Sequence, residues 1–499
     1  MGMESSIRGA DDRNIAKRSF KAAGGVIAAQ FVMQFVQILL GVCMVRILTP
    51  EDYGTIGMIS IFWAVGDVFV GGGFGQALIQ RKEITETDLC SVFCYNILVS
   101  LACCGLMTGF AGKIALFYGI PVLKPMVLVM AWTLPIKALA SVQSVLLARQ
   151  LKQPLITTGT LVSQLSAGLV ALFLAWRGLG VWALVWQQVT AAALFTLILF
   201  LFVRWVPKPV FSFKALASLF KFGSNLLAVG LLDAFVMNFT NMVLGRRDSA
   251  RTLGFYSRTV GYVRLWPYSV QGAIAGVLFP AFSKIQDDPF RLLGAFRRAL
   301  AVSSFAVVFP TLLLCALCKP IVLLVLGGKW LPCVHYWWLI TASAVFFPIQ
   351  MLNVQLLKAV GRSDLYLLLE ILKKSLYAVQ ITVLIVWGIV PMLVCEIAVS
   401  ILCVCMNSYF TGRSLHYGTL SQLRDFSLYA AISVPACLAA WGVYRAVSPV
   451  SPWSGLALAL FAGPAVYLAL NRLFKTPALV ELVGLAGGRF PVLKKFFRC

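Results

Sequence analysis

The sequence predicts an all-α polytopic membrane protein of about 14 transmembrane helices in two pseudo-symmetric bundles. Three observations carry this. Apolar residues make up 60% of the 499 and charged residues only 12%, with a mean hydropathy of +0.89. Soluble globular domains are not that apolar. Apolar stretches long enough to cross a bilayer core of roughly 30 Å recur along the whole chain. One pair of these stretches, with the hinge between them, returns later in the chain.

That pair comes first in order. Apolar stretches at 23–45 and 53–80 flank the polar hinge RILTPEDYG at 46–54. Thr49, Pro50, Asp52 and Gly54 suit a helix stop, a tight turn and a new helix start. A shift of 200 residues places Lys21 on Lys221, Arg46 on Arg246, Gly54 on Gly254, Gly72 on Gly272 and Leu78 on Leu278. The match runs without a gap from 21–81 to 221–281. Few positions are identical, so matching hydropathy and the matching hinge carry the repeat. An internal repeat of this kind points to a two-lobed transporter with both halves in the same orientation.

The remaining spans follow at 88–111, 121–147, 154–176, 179–203, 217–241, 253–281, 296–318, 331–357, 364–387, 390–410, 427–446 and 455–473. The organisation is then a basic segment 1–22, a first bundle 23–212, a second bundle 213–410, two additional spans in 411–474 and a basic tail 475–499. Residues 1–20 have no apolar core before a small-residue site, so no cleavable signal is expected. No connection exceeds about twenty residues, so no soluble catalytic domain is inserted.

Basic residues orient the chain. With the N-terminus in the cytoplasm, about 27 of the 42 Lys and Arg fall on the cytoplasmic side and about nine outside. This bias fits an even number of spans, with both termini cytoplasmic and the hinges outside. The net charge of +24 therefore reads as membrane topology, and no nucleic-acid partner is expected. The tail interleaves Phe490, Phe496 and Phe497 with basic residues, a pattern suited to an anionic leaflet.

About six basic residues stay within spans: Lys124, Lys137, Arg258, Arg264, Lys373 and Lys374. A cation at bilayer depth costs several kcal/mol and needs a reason. Lys124 is near enough to a span end to snorkel. Glu370 precedes Lys374 by one helical turn, so an intrahelical pair is expected to account for one of Lys373 and Lys374. Lys137, Arg258, Arg264 and Lys373 are the candidates for a basic cavity that receives an anionic group such as a pyrophosphate. The deep acids are Asp67, Asp233, Glu370 and Glu396. Asp67 and Asp233 are candidates for binding Na⁺ or H⁺ in an ion-coupling role, or else static counter-ions. Trp266 and Tyr268 flank Pro267 inside a span, where proline is expected to kink the helix.

Several chemistries are excluded. No Walker A motif is present. The two histidines, His335 and His416, form no metal-ligand cluster, so no metal or other cofactor is expected. Cys315 and Cys318 have redox spacing but lie at a span end and read as packing residues. Nothing marks the chain as an enzyme.

The stretches VRILTPEDYGTIGMI (45–59), GFGQALIQRKEITETDL (73–89), LGFYSR (253–258), VLFPAFSKIQDD (277–288), LGGKW (326–330) and KAVGRSDLYLLLEILKK (358–374) resemble a known family. They are similar to the Wzx-type polysaccharide/O-antigen flippases of the multidrug/oligosaccharidyl-lipid/polysaccharide flippase superfamily, most of all the colanic-acid type. The resemblance implies fourteen helices around a central cavity and alternating access, driven in some relatives by an ion gradient. It implies an undecaprenyl-pyrophosphate-linked oligosaccharide as substrate, turned across the bacterial inner membrane for lipopolysaccharide or exopolysaccharide biosynthesis. Polymerase and chain-length proteins of that pathway are the implied partners. The family motifs are hinges, and no substrate-contact residue transfers from them.

Two alternatives stay open on the residues. A drug or metabolite antiporter of the same superfamily would favour acids in its cavity, whereas here cations are at least as numerous. A membrane polymerase or glycosyltransferase would carry a sizeable outer loop or an acidic metal motif, and neither is seen.

Overall fold

The computed structural model describes residues 36–71, 73–81, 83–150 and 152–487. The basic segment 1–22, most of the first expected span, Gly72 and the tail beyond 487 lie outside the described residues. Among those described, every regular element is helical. They run α1 (Val36–Ile47), α2 (Pro50–Gly71), α3 (Phe74–Gln80), α4 (Glu86–Tyr118), α5 (Leu123–Ala131), α6 (Thr133–Leu139), α7 (Ser141–Arg149), α8 (Gln153–Trp176), α9 (Val181–Phe202) and α10 (Phe213–Arg247). There follow α11 (Ala250–Lys284), α12 (Pro289–Ala316), α13 (Cys318–Ile321), α14 (Cys333–Ala344), α15 (Phe347–Ala359), α16 (Ser363–Trp387), α17 (Ile389–Leu415), α18 (Thr419–Val447), α19 (Pro452–Leu473) and α20 (Pro477–Gly487).

Eleven helical stretches among the described residues are long and apolar enough to cross a membrane. Three expected spans are missing from that set, and each has a reason. The first lies mostly outside the described residues. The other two are α11 and α16, helices of 35 and 25 residues. Helix α16 carries Asp364, Glu370, Lys373 and Lys374, and the first half of α11 carries Arg251, Arg258 and Arg264.

Two expected spans are broken. The stretch 121–147 is three helices, divided at Trp132 and Ala140, with Pro135 in the first turn of the middle one. Proline fits the first turn because the N–H it lacks has no partner there. The stretch 331–357 divides where Pro348 opens α15. By contrast α11 runs through Pro267 without a break.

The repeated hinge has the same local chemistry in both copies. Thr49 caps α2: its Oγ1 accepts from the Asp52 amide at 3.3 Å, and Asp52 Oδ2 accepts from the Thr49 amide at 2.8 Å. This reciprocal arrangement is a capping box. Two hundred residues on, Ser249 Oγ accepts from the Thr252 amide at 3.1 Å at the start of α11. The two hinges also meet. A Cβ on Gly54 would lie 1.6 Å from the Ala250 carbonyl oxygen, and one on Gly254 would lie 1.9 Å from that of Pro50. Only glycine permits this backbone approach. Glu51 and Arg251, themselves repeat partners, pair at 3.3 Å across it.

The chain divides into two compact units, one ending at Gly254 and the other beginning at Phe255. Helix α10 lies in the first unit, where small residues let it close on α2 and α3. Gly73 approaches Gly223, Gly230 abuts Val68 and Gly245 abuts Met58. In the second unit the main core joins Phe282, Phe296, Leu300, Val308, Ile349 and Leu352. Leu98, Leu106 and Leu116 in the first unit and Phe461 in the second are strongly exposed. Such residues are at home only against lipid in a chain of this composition.

Candidate functional site

In each unit one of the candidate intramembrane cations pairs with a carboxylate from another helix. In the first unit the residues come as two interlocked i, i+4 pairs. Trp63 and Asp67 project from one face of α2, and Thr133 and Lys137 from one face of α6. Lys137 Nζ lies 2.6 Å from Asp67 Oδ1 and 4.1 Å from the centre of the Trp63 ring. Trp63 Nε1 donates to Thr133 Oγ1 at 2.8 Å, which fixes the ring under the ammonium. Thr133 Oγ1 in turn donates to the Met130 carbonyl at 2.6 Å. The lysine thus has a carboxylate on one side and an aromatic face on another, both favourable to a cation.

In the second unit Arg264 of α11 donates through Nη2 to Glu396 Oε1 of α17. The same carboxylate oxygen accepts from Ser343 Oγ of α14 at 2.8 Å. Tyr256 and Tyr268 lie near the guanidinium. Tyr268 packs edge-on to Phe347 at 4.6 Å, and Trp266 donates to the Ala306 carbonyl at 2.9 Å. The aromatic residues beside Pro267 therefore act in packing. The side chain of Glu396 is 15% exposed and that of Asp67 is 41% exposed.

The other expected site residues fall as follows. Lys373 pairs with Glu370 at 3.2 Å within α16, an i, i+3 pair. The intrahelical pair expected to account for one of Lys373 and Lys374 thus forms with Lys373, at the i, i+3 spacing. Arg258 lies on α11 one turn before Tyr262, with its Nε buried. Asp233 is exposed on α10. The structure joins Lys137 with Asp67, but it gives Arg264 and Lys373 different acids. Glu396, Ser343, Trp63 and Thr133 were not singled out as site residues. The i, i+4 spacing of Trp63 with Asp67 and of Thr133 with Lys137 was the available signal. The twelve cysteines described are free, Cys315 and Cys318 included. No group of metal-ligating residues occurs among the described residues.

A helical membrane protein that holds cations at depth against carboxylates, with a repeated hinge, has the build of a two-lobed transporter. Solved structures share the fold. The inward closed conformation of the lipid II flippase MurJ matches with a TM-score of 0.70 at 15% identity, over 90% of this chain and 98% of that one. An inward-facing multidrug resistance MATE family transporter of the MOP superfamily matches with a TM-score of 0.57 at 14% identity, over 80% and 96%. The chain belongs to the family described as polysaccharide biosynthesis protein, which matches residues 43–335. Its curated relatives include the succinoglycan biosynthesis transport protein ExoT of Rhizobium meliloti (strain 1021), 25% identical over 60% of each chain. The lipopolysaccharide biosynthesis protein WzxC of Escherichia coli (strain K12) is 26% identical over 58% of this chain and 59% of that one. The teichuronic acid biosynthesis protein TuaB of Bacillus subtilis (strain 168) is 24% identical over 70% and 73%. The chain spans about three fifths of the length of the first two.

Proposed function

We propose that the protein is a flippase, not an enzyme, that moves undecaprenyl-pyrophosphate-linked oligosaccharide repeat units across the bacterial cytoplasmic membrane by alternating access. The product serves lipopolysaccharide or exopolysaccharide biosynthesis. The observation that carries this reading is the pair of intramembrane cations, each held by a carboxylate. Such a cation is stable without substrate, yet it can exchange its carboxylate for a phosphate oxygen of like charge and hydrogen-bonding capacity. An uncompensated cation at this depth would be too costly to keep, and a cavity for a cationic drug would not need one. Lys137, Arg258, Arg264 and Lys373 are proposed to contact the pyrophosphate. Asp67 and Asp233 are the proposed ion-coupling acids, for Na⁺ or H⁺. The repeat supports two bundles divided near 212/213, with two further spans after 410. The basic-residue bias supports both termini in the cytoplasm, so reporter fusions at Lys475 and near Lys113 should report opposite sides. The same side for both would refute that orientation. Polymerase and chain-length proteins of the pathway are the proposed partners.

The test of function is reconstitution in proteoliposomes with a labelled lipid-linked oligosaccharide in one leaflet. The expected result is protein-dependent appearance of label in the other leaflet. Flipping no faster than in protein-free vesicles, with uptake of a cationic drug instead, would favour the antiporter reading.

A further inference from the structure

The connection between α9 and α10, residues 203–212, is a non-helical strap laid against the start of α4. Its backbone is extended at Val203 and at Ser212. Pro207 and Pro209 keep it from joining either helix. Trp205 Nε1 donates to Glu86 Oε2 at 3.2 Å, and the Trp205 ring meets Phe93 edge-on at 5.9 Å. The Lys208 amide donates to Cys90 Sγ at 3.4 Å, and the Ser212 amide donates to Ser91 Oγ at 2.9 Å. Val203 packs on the small core of Ala140, Leu147 and Leu199. Exposure alternates along the strap. Val203, Trp205 and Pro207 are partly buried, whereas Arg204, Val206 and Lys208 are exposed. An extended segment laid on a surface gives this alternation.

The outward side joins residues that do not suit the same solvent. Val206 is 71% exposed, and Phe213, the first residue of α10, is 75% exposed. Val210 and Phe211 between them are exposed as well. Interleaved with these are Arg204, Lys208 and Lys214, which form no ion pair among the described residues. The two acids in the first turn of α4 are engaged elsewhere, Asp88 with Arg81 at 3.2 Å and Glu86 with the Trp205 indole. The other end of α10 is different. There Arg247 pairs with Asp248 at 3.3 Å, and Arg246 lies 5.5 Å from the centre of the Phe117 ring. Those two cations also sit at a helix C-terminus, which favours them, whereas Lys214 sits in a first turn, which does not. Lys214 therefore serves something other than its helix. Uncompensated cations among exposed apolar side chains match the boundary of an anionic leaflet. Phosphates meet the charges there, and acyl chains meet the stems and rings.

We propose that the strap and the first two residues of α10, 203–214, form a docking surface for the anionic phospholipids of the membrane. Arg204, Lys208 and Lys214 take the headgroup phosphates, and Val206, Phe211 and Phe213 enter the acyl region. The contacts to Glu86, Cys90 and Ser91 already hold the strap on α4, so little ordering is lost when lipid binds. A cation at such a surface favours an anionic over a neutral lipid by about fivefold. The inference is independent of the flippase reading, because it uses none of the intramembrane cations.

The test places the photo-crosslinking residue p-benzoylphenylalanine at position 206 of the full chain. The protein is held in nanodiscs of phosphatidylcholine with a minority of phosphatidylglycerol, and mass spectrometry identifies the lipid attached after illumination. Phosphatidylglycerol should be enriched by about fivefold or more over its share of the bilayer. The same probe at position 213 should give the same enrichment, which holds the test open if the first variant does not fold. At position 203, which packs on the protein, the probe should attach chiefly to protein. Arg204→Gln/Lys208→Gln/Lys214→Gln should return the adducts at 206 to the bulk lipid ratio at unchanged total yield. Adducts in the bulk ratio with all three cations present would overturn the proposal, since the strap would then face lipid without preferring a headgroup. Absence of lipid adducts at both 206 and 213 would also overturn it, because that face would then meet water or a protein partner. An enrichment that survives the triple substitution would overturn the assignment to these three cations.

Discussion

The intramembrane ion pair of the first unit and that of the second are built from the same charges in different surroundings. Lys137–Asp67 joins a flexible ammonium to a carboxylate that is 41% exposed, with the Trp63 ring beside it. Arg264–Glu396 joins a planar guanidinium to a carboxylate that is 15% exposed and hydrogen-bonded to Ser343. An exposed carboxylate within a membrane span is tolerable only toward water. Such a pair is worth little and is easily opened. A desolvated pair resists loss of one partner, because a buried charge is left behind. The difference teaches that the two cations have separate tasks. In the proposed function Lys137 meets an incoming anion at low cost, whereas Arg264 gives up a less exposed partner.

The largest effect that would break this comparison is on Glu396. Glu396→Ala should destabilise the protein by about 3 kcal/mol and abolish flipping, because Arg264 loses its partner. Chemical unfolding in detergent alongside the proteoliposome assay checks both. A loss no greater than that of Asp67→Ala, expected below about 1 kcal/mol, would make the two pairs equivalent. Next comes Arg264→Lys. It keeps the charge but loses the fork that suits a phosphate, so flipping should fall about tenfold at unchanged membrane abundance. Wild-type flipping would show that charge alone matters there. Lys137→Met should reduce flipping several-fold while stability moves by less than about 1 kcal/mol, the scale of an exposed pair and one cation–π contact. A stability loss like that of Glu396→Ala would contradict the assignment of separate tasks. The smallest effect on stability is expected for Lys373→Gln. Its intrahelical pair with Glu370 is worth about 0.2–0.5 kcal/mol, so the melting temperature should hold, while flipping should fall about threefold through loss of one proposed pyrophosphate contact.

Much of the fold was legible because hydropathy and the hinge are local signals. Thr49 through Gly54, and their counterparts two hundred residues on, announce helix ends by residue type alone, and the capping at Thr49 and Ser249 is what those types do. The charges on α11 and α16 were visible for the same reason. Their partners were not. Lys137 meets Asp67 seventy residues away, and Arg264 meets Glu396 across 132. Such pairings depend on how helices rotate and pack, which no local pattern states. The division of 121–147 at Trp132 and Ala140 was likewise hidden, because its composition reads as one span and only Pro135 hints at a break.

The central claim is that lipid-linked oligosaccharide crosses the membrane by engaging these two cations. The most direct measurement is the initial flipping rate in proteoliposomes for the wild type and for the double variant Lys137→Gln/Arg264→Gln, at equal amounts of folded protein. The account predicts rapid flipping by the wild type and a rate at the protein-free background for the double variant. A double variant that flips substrate at the wild-type rate would contradict it.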